Sequence, residues 1–229
     1  MRIRFAAACF TCCVGFWTAG KVQPQAQTVE DRCVDALRAS AVIDTSLDSD
    51  FFRSKQASYP WHIIEHDDGH LEDTIAGGPV NRKTVSKIEH TASCISTHQG
   101  EHLMSFCEAT ERGQGVDLVI TGGMPAYASM LTVNLDEKKQ ITCSFEATYP
   151  MTIPGEKLQW RITKKAFRMK SEGYKPGTRL LGWLTVEFEE ITTLKGKETR
   201  RSYKIEGYVK PMVQKQQCPA EVKDIDAPL

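Results

Sequence analysis

From Trp61 onward apolar and polar residues alternate, and that period of two commits most of the chain to half-buried strands. In ITCSFEATY, Ile141, Cys143, Phe145, Ala147 and Tyr149 would share one face, with Thr142, Ser144, Glu146 and Thr148 on the other. The preceding segment offers Leu131, Val133 and Leu135. Pairing 135 with 141, 133 with 143 and 131 with 145 across the DEKKQ turn joins the two apolar faces. A slip of one residue would set apolar against polar, so this register is strongly specified.

The C-terminal third predicts strands over 158–169, 180–192 and 202–210. In LQWRITKKAFRM the apolar phase moves from even (Leu158, Trp160, Ile162) to odd (Phe167, Met169). A phase flip within one strand marks a bulge, here near Lys164 and Lys165. A second flip, from Leu181 and Trp183 to Leu184 and Val186, predicts another. TVEDRCVDALRAS reads as the one helix, with Thr28 as its cap and Val29, Cys33, Val34 and Leu37 on one stripe. The fold class is therefore all-β, an antiparallel sandwich or curved barrel with one N-terminal helix.

The chain opens with MRIR and an apolar run from Phe5 to Trp17, followed by small residues. Residues 1–20 read as a secretory signal peptide cleaved after Gly20, and residues 21–28 as a flexible leader. Residues 29–213 form a single mostly-β domain, and 214–229 a C-terminal tail. No later run is long enough for a transmembrane segment in the mature chain. The expected location is secreted or periplasmic.

An exported chain should oxidise its cysteines. Of the eight, Cys9, Cys12 and Cys13 fall in the signal peptide, leaving Cys33, Cys94, Cys107, Cys143 and Cys218. A tight hairpin turning at Gly100 and Glu101 would bring Cys94 opposite Cys107 as a disulfide. Cys33 would bridge Cys218 and tie down both chain ends. Cys143, in phase with Ile141 and Phe145, is left as a buried free thiol.

Charge is uneven along the chain. Residues 21–156 hold 11 Lys and Arg against 20 Asp and Glu; residues 157–217 hold 15 against 6. Strands from the two halves lying side by side would neutralise one another. Arg200, Arg201 and Lys204 should then lie near Glu187 and Glu189. The competing reading is a basic face centred on WRITKKAFRMK; we expect no nucleic-acid partner.

All six histidines fall between His62 and His102. In HIIEHDDGH, DDG suits a three-residue hairpin loop with Gly69 in the left-handed conformation. His66 then faces His70, and Glu72 follows on the same face opposite Ile64. Two imidazoles and a carboxylate can hold a divalent ion such as Zn²⁺ with open positions. His62 lies about 13 Å from His70 at strand spacing and stands outside that set. Solvated hairpin histidines without a metal are the plainer reading, and no other cofactor is implied.

There is no nucleophile elbow, phosphate loop, paired-carboxylate motif or HExxH. GGMPAYA, 122–128, reads as a turn; as a pocket mouth it would present Met124 and Tyr127. Trp61, Trp160 and Trp183 read as core residues. The leading functional reading is an exported binding or interaction domain for an extracellular or periplasmic ligand, with no catalysis of its own. Its rivals are a metal-dependent enzyme built on His66, His70 and Glu72, and a β-barrel carrier of a small apolar ligand.

Overall fold

The structure is a computed structural model that describes residues 33–74, 76–122, 128–149, 153–171 and 174–216. The signal peptide and leader, Met124, Tyr127 and Cys218 lie outside the described residues, and with Cys218 so does its bridge to Cys33.

Strands are numbered in chain order. One sheet runs β1 (Cys33–Val34), β14 (Lys157–Met169), β15 (Gly182–Leu194), β16 (Lys197–Val209), β8 (Ala92–Ser96), β9 (His102–Met104), and β2 (Val42–Ile43) also pairs β14. A second runs β13 (Ile141–Ala147), β12 (Ser129–Leu135), β11 (Gly115–Gly122), β10 (Phe106–Arg112), β17 (Val213–Gln214). Two small sheets join β3 (Ala57–Ser58) to β7 (Ile88–Glu89), and β4 (Ile63–Glu65) to β5 (Leu71–Asp73) and β6 (Pro79–Val80). The chain is all-β, and these sheets close no barrel.

The two large sheets share one core. Leu118, Ile120, Leu131, Val133 and Phe145 of one sheet meet Trp160, Phe167, Leu184, Phe188 and Ile205 of the other. The Phe145 and Phe188 rings stack at 4.1 Å across the interface, and Trp160 packs edge-on to both. These side chains fill the space between the two sheets.

Register follows the sequence where alternation is strict. Leu131, Val133 and Leu135 pair Phe145, Cys143 and Ile141. Asp136 closes the turn by accepting from the Lys138 and Gln140 N–H groups, with Lys139 left-handed. In β14 the register shifts between Ile162 and Lys164, so Thr163 is the extra residue of a bulge. The second bulge is absent: pairing with β14 runs unbroken from Gly182 to Glu187. Trp183 sits half-buried on the outer face, with the Arg168 guanidinium 4.7 Å from its ring.

The bulge has an energetic consequence. It turns Lys165 to the core face, where its side chain is fully buried and pairs with Asp35 at 2.5 Å. The ammonium also donates to the Leu37 carbonyl at 2.8 Å. Asp35 in turn accepts the Cys143 N–H at 2.8 Å. The N-terminal helix is not shown: its described part, from Cys33, is the short strand Cys33–Val34 followed by an irregular run. Cys33–Val34 and Val42–Ile43 add parallel strands to the edge of β14. Between them, Ala39 and Ala41 exchange backbone bonds with Ile141 and Lys139. Two open sheet edges need partners, and that tertiary demand overrides a few tenths of a kcal/mol per residue of helix propensity. The one helix among the described residues is a single turn, α1 (Asp50–Arg53), whose Phe51 N–H is capped by Ser49.

The Cys94–Cys107 bridge is also corrected. Cys94 pairs Met104 rather than Cys107, because residues 97–101 form a longer connection with Gln99 and Gly100 both at positive φ. From Phe106 the chain leaves for the second sheet, where Cys107 faces Ile120. Cys33, Cys94, Cys107 and Cys143 are free thiols, no two of them at disulfide distance. Burial pushes the Cys94 and Cys143 thiols up to about 12 and raises Cys107 well above its ordinary value. Thiolate, the form that oxidises, is therefore scarce. Alkylation after unfolding without reductant is expected to label Cys94, Cys107 and Cys143; a cross-linked Cys94–Cys107 peptide would sink this result.

The charge asymmetry resolves in part into pairs between halves: Lys165 pairs Asp35, Arg168 pairs Asp44, and Arg179 pairs Glu89. Within the basic half, Lys164 pairs Glu187. Arg200 lies 3.6 Å from Glu189, and Lys204 faces Glu187 across the ladder. Lys210 is buried, donating to Ser54 O and to Glu89 at 3.0 Å beneath the Phe51 ring. Arg179, then Lys210, hold the Glu89 carboxyl at about 2, below its ordinary 4.5. A depressed carboxylate stabilises the fold fully above the ordinary value and loses that contribution as pH falls through the folded value. Urea midpoints are thus expected to fall between pH 4.5 and pH 2, and Glu89→Gln should flatten that fall. Parallel curves for variant and wild type would count against the assignment.

Candidate functional site

Among the described residues, three groups of side chains stand out for chemistry beyond packing. The first is a cleft of about 320 Å³ where β3, β4 and the approach to β7 meet, lined by Ser58, Tyr59, Trp61, Ile63, Glu65 and Lys87. Pro60 sets the turn, its carbonyl taking the Ile63 N–H at 2.8 Å. That turn places Tyr59 and Trp61 at the cleft wall. The Lys87 ammonium sits 5.1 Å over the Tyr59 ring and 4.0 Å from Glu65. His90 contacts Ser58 at 2.9 Å and holds the floor strand. The cleft thus offers two aromatic rings, the Lys87 ammonium and the Glu65 carboxylate, which Arg82 also holds at 2.6 Å.

The second group is the β4–β5 hairpin. Ile64 pairs Glu72 and Glu65 pairs Leu71, with the His66 N–H bonded to the His70 carbonyl and Gly69 at φ +83°. The hairpin folds in the register read from the sequence. It brings His66, His70 and Glu72 together, with one ligand atom from each inside a 4.8 Å circle. His66 Nε2 lies 2.8 Å from Glu72 Oε2. The two imidazoles stack at 4.1 Å, 6° from parallel. Asp68 accepts both the His70 backbone N–H and, at 2.5 Å, its ring Nδ1–H. Arg82 bonds Gly69 O and Glu65 from the following loop, fixing the turn.

The third group is internal and was missed in the sequence. His98 is fully buried, with Nε2 3.0 Å from the Tyr149 hydroxyl; that hydroxyl donates to Glu190 at 2.6 Å. The order fixes the protons: Tyr149 gives to Glu190 and accepts from His98 Nε2–H. Burial alone would raise Glu190, but hydrogen bonds from His98 and Tyr149 outweigh it and lower the carboxyl. Burial, then Glu190, drive the Tyr149 hydroxyl up. Phe145, Trp160 and Tyr203 box the imidazole edge-on at 5.0–5.4 Å. His98 Nδ1 and Trp160 Nε1 are buried without a hydrogen-bond partner. The arrangement resembles acid–base machinery, yet no part of His98 reaches the surface, so it acts as a polar lock between the sheets. Its one sequence signal was Glu190, a charge in phase with Leu184, Val186 and Phe188.

Trp160 is core, Trp61 lines the cleft and Trp183 is peripheral. No helix among the described residues is long and apolar enough to cross a membrane. Searches of protein-family models, curated proteins and solved structures find no match to this chain.

Proposed function

We propose that the chain is an exported binding domain, an antiparallel sandwich without catalysis of its own, whose ligand site is the Tyr59–Trp61 cleft. The observation that supports this most is the lining: two aromatic walls beside the opposed charges of Lys87 and Glu65. A recess of this size, which sets polar groups beside two aromatic rings, can hold a small polar ligand. The chemistry favours a small molecule with an apolar face and both donor and acceptor groups at its rim. The buried, high-pKa thiols keep an unbridged fold compatible with an oxidising compartment.

Two measurements test the reading. N-terminal sequencing of protein recovered from an export-competent host should begin near residue 21; material beginning at Met1 overturns export. Amide NMR spectra recorded with soluble saccharides and amino acids should show saturable shifts at residues 57–65 and 87 for at least one compound. Those shifts should vanish in Trp61→Ala. Shifts confined to the faces of the large sheets would move the site elsewhere.

A further inference from the structure

We propose that the β4–β5 hairpin is a site for one divalent transition-metal ion of the zinc class, held by the imidazoles of His66 and His70 and the carboxylate of Glu72. The cleft does not enter this inference. Along the hairpin, Ile63, Glu65 and Leu71 point to the cleft and core side. Ile64, His66, His70 and Glu72 occupy the opposite, solvent side.

Four observations carry the proposal. The donor set is two nitrogens and one carboxylate oxygen, which suits zinc and its neighbours and leaves positions open to water. The three ligand atoms already lie within 4.8 Å of one another. Donors about 2.1 Å from a common ion stand roughly 3.3 Å apart. Closing that gap asks for rotation of exposed side chains, with no movement of backbone. The Asp68–His70 contact supplies the third observation. A carboxylate on Nδ1–H fixes the tautomer and presents a bare Nε2, as metal-binding histidines require. Finally, His66 Nε2 and Glu72 Oε2 lie 2.8 Å apart, so two of the three donors already converge. To bind through Nε2 the neutral His66 imidazole carries its proton on Nδ1, and the imidazole and carboxylate become neighbouring ligands. Arg82, bonded to Glu65 and Gly69 O, holds the turn while its charge is answered by Glu65.

The test is calorimetric titration of the chelator-stripped mature protein with zinc chloride at pH 7.5. One ion per chain is expected, with a dissociation constant on the order of micromolar. His70→Ala and Glu72→Gln should each weaken binding at least 10-fold. Asp68→Asn, which touches no ion, should weaken it by about 10-fold through the outer contact. His62→Ala should leave it unchanged. All four positions are at least partly exposed, and unchanged thermal midpoints will show that the variants fold. Absence of a saturable one-to-one event below about 100 μM overturns the site, as does wild-type affinity in His70→Ala. Trp61→Ala should bind zinc normally, so failure of the cleft reading and failure of the metal site are separately visible.

Discussion

Replacing Asp35 with alanine is expected to destabilise the protein by about 3–5 kcal/mol, the cost of leaving a buried charge without its partner. The Lys165 side chain is fully buried, and its ammonium has two acceptors, the Asp35 carboxylate and the Leu37 carbonyl. Removing the first leaves a desolvated cation with one neutral acceptor. It also strips the Cys143 N–H of the oxygen that satisfies it at the edge of β13. Asp35→Asn keeps an acceptor for that N–H while deleting the charge, so it should fall between wild type and alanine. The double variant Asp35→Ala, Lys165→Met should recover most of the loss, because it removes both charges and refills the volume with an apolar chain. Urea unfolding of the four proteins measures all of this. A loss under about 1 kcal/mol for Asp35→Ala would show that water reaches Lys165 and that the segment carrying Asp35 does not close the sheet edge.

The same pair marks where sequence reasoning works and where it stops. Patterning across a two-sided strand is a local record of one buried face, so the β12–β13 register and the β14 bulge were readable from Leu131, Phe145, Ile162 and Phe167. The His66–His70 hairpin was readable because Gly69 and the two aspartates before it dictate the turn. Lys165 and Glu190 carried a signal that was present and unread: a charge in phase with core residues has to find a buried partner. The partner itself carried none. Asp35 is 130 residues from Lys165 and sits in a segment whose own composition favours a helix. His98 and Tyr149 join Glu190 through contacts that no spacing encodes. The cysteine hairpin failed for a related reason. Gly100 invited the tightest turn, but residues 97–101 form a longer connection between β8 and β9, and β10, which carries Cys107, is recruited by β11.

Gly207→Ala is expected to cost roughly 3 kcal/mol or more and to loosen β8 from the sheet, combining positive-φ strain with a backbone clash. Gly207 pairs Cys94 on one side and Leu184 on the other, at φ +152°. A Cβ there would lie 2.1 Å from the Ser93 carbonyl oxygen and 2.6 Å from the Cys94 Cα. Neither is the movable end of a flexible side chain, so the whole strand must shift. Of its neighbours in the sheet, β16 is the one that holds β8 to the three long strands, since β9 lies outside it at the edge. Displacement should expose Cys94, which has no accessible surface in the native fold. Native-state alkylation should therefore accelerate at Cys94 while Cys143, in the other sheet, stays protected. Gly196→Ala is the control: it also has positive φ, at 78°, but its Cβ would meet open space. It should show backbone strain alone, about 1 kcal/mol, with no change at Cys94. If the two variants unfold at the same urea concentration, the close approach of β16 to β8 is not what Gly207 is there to permit.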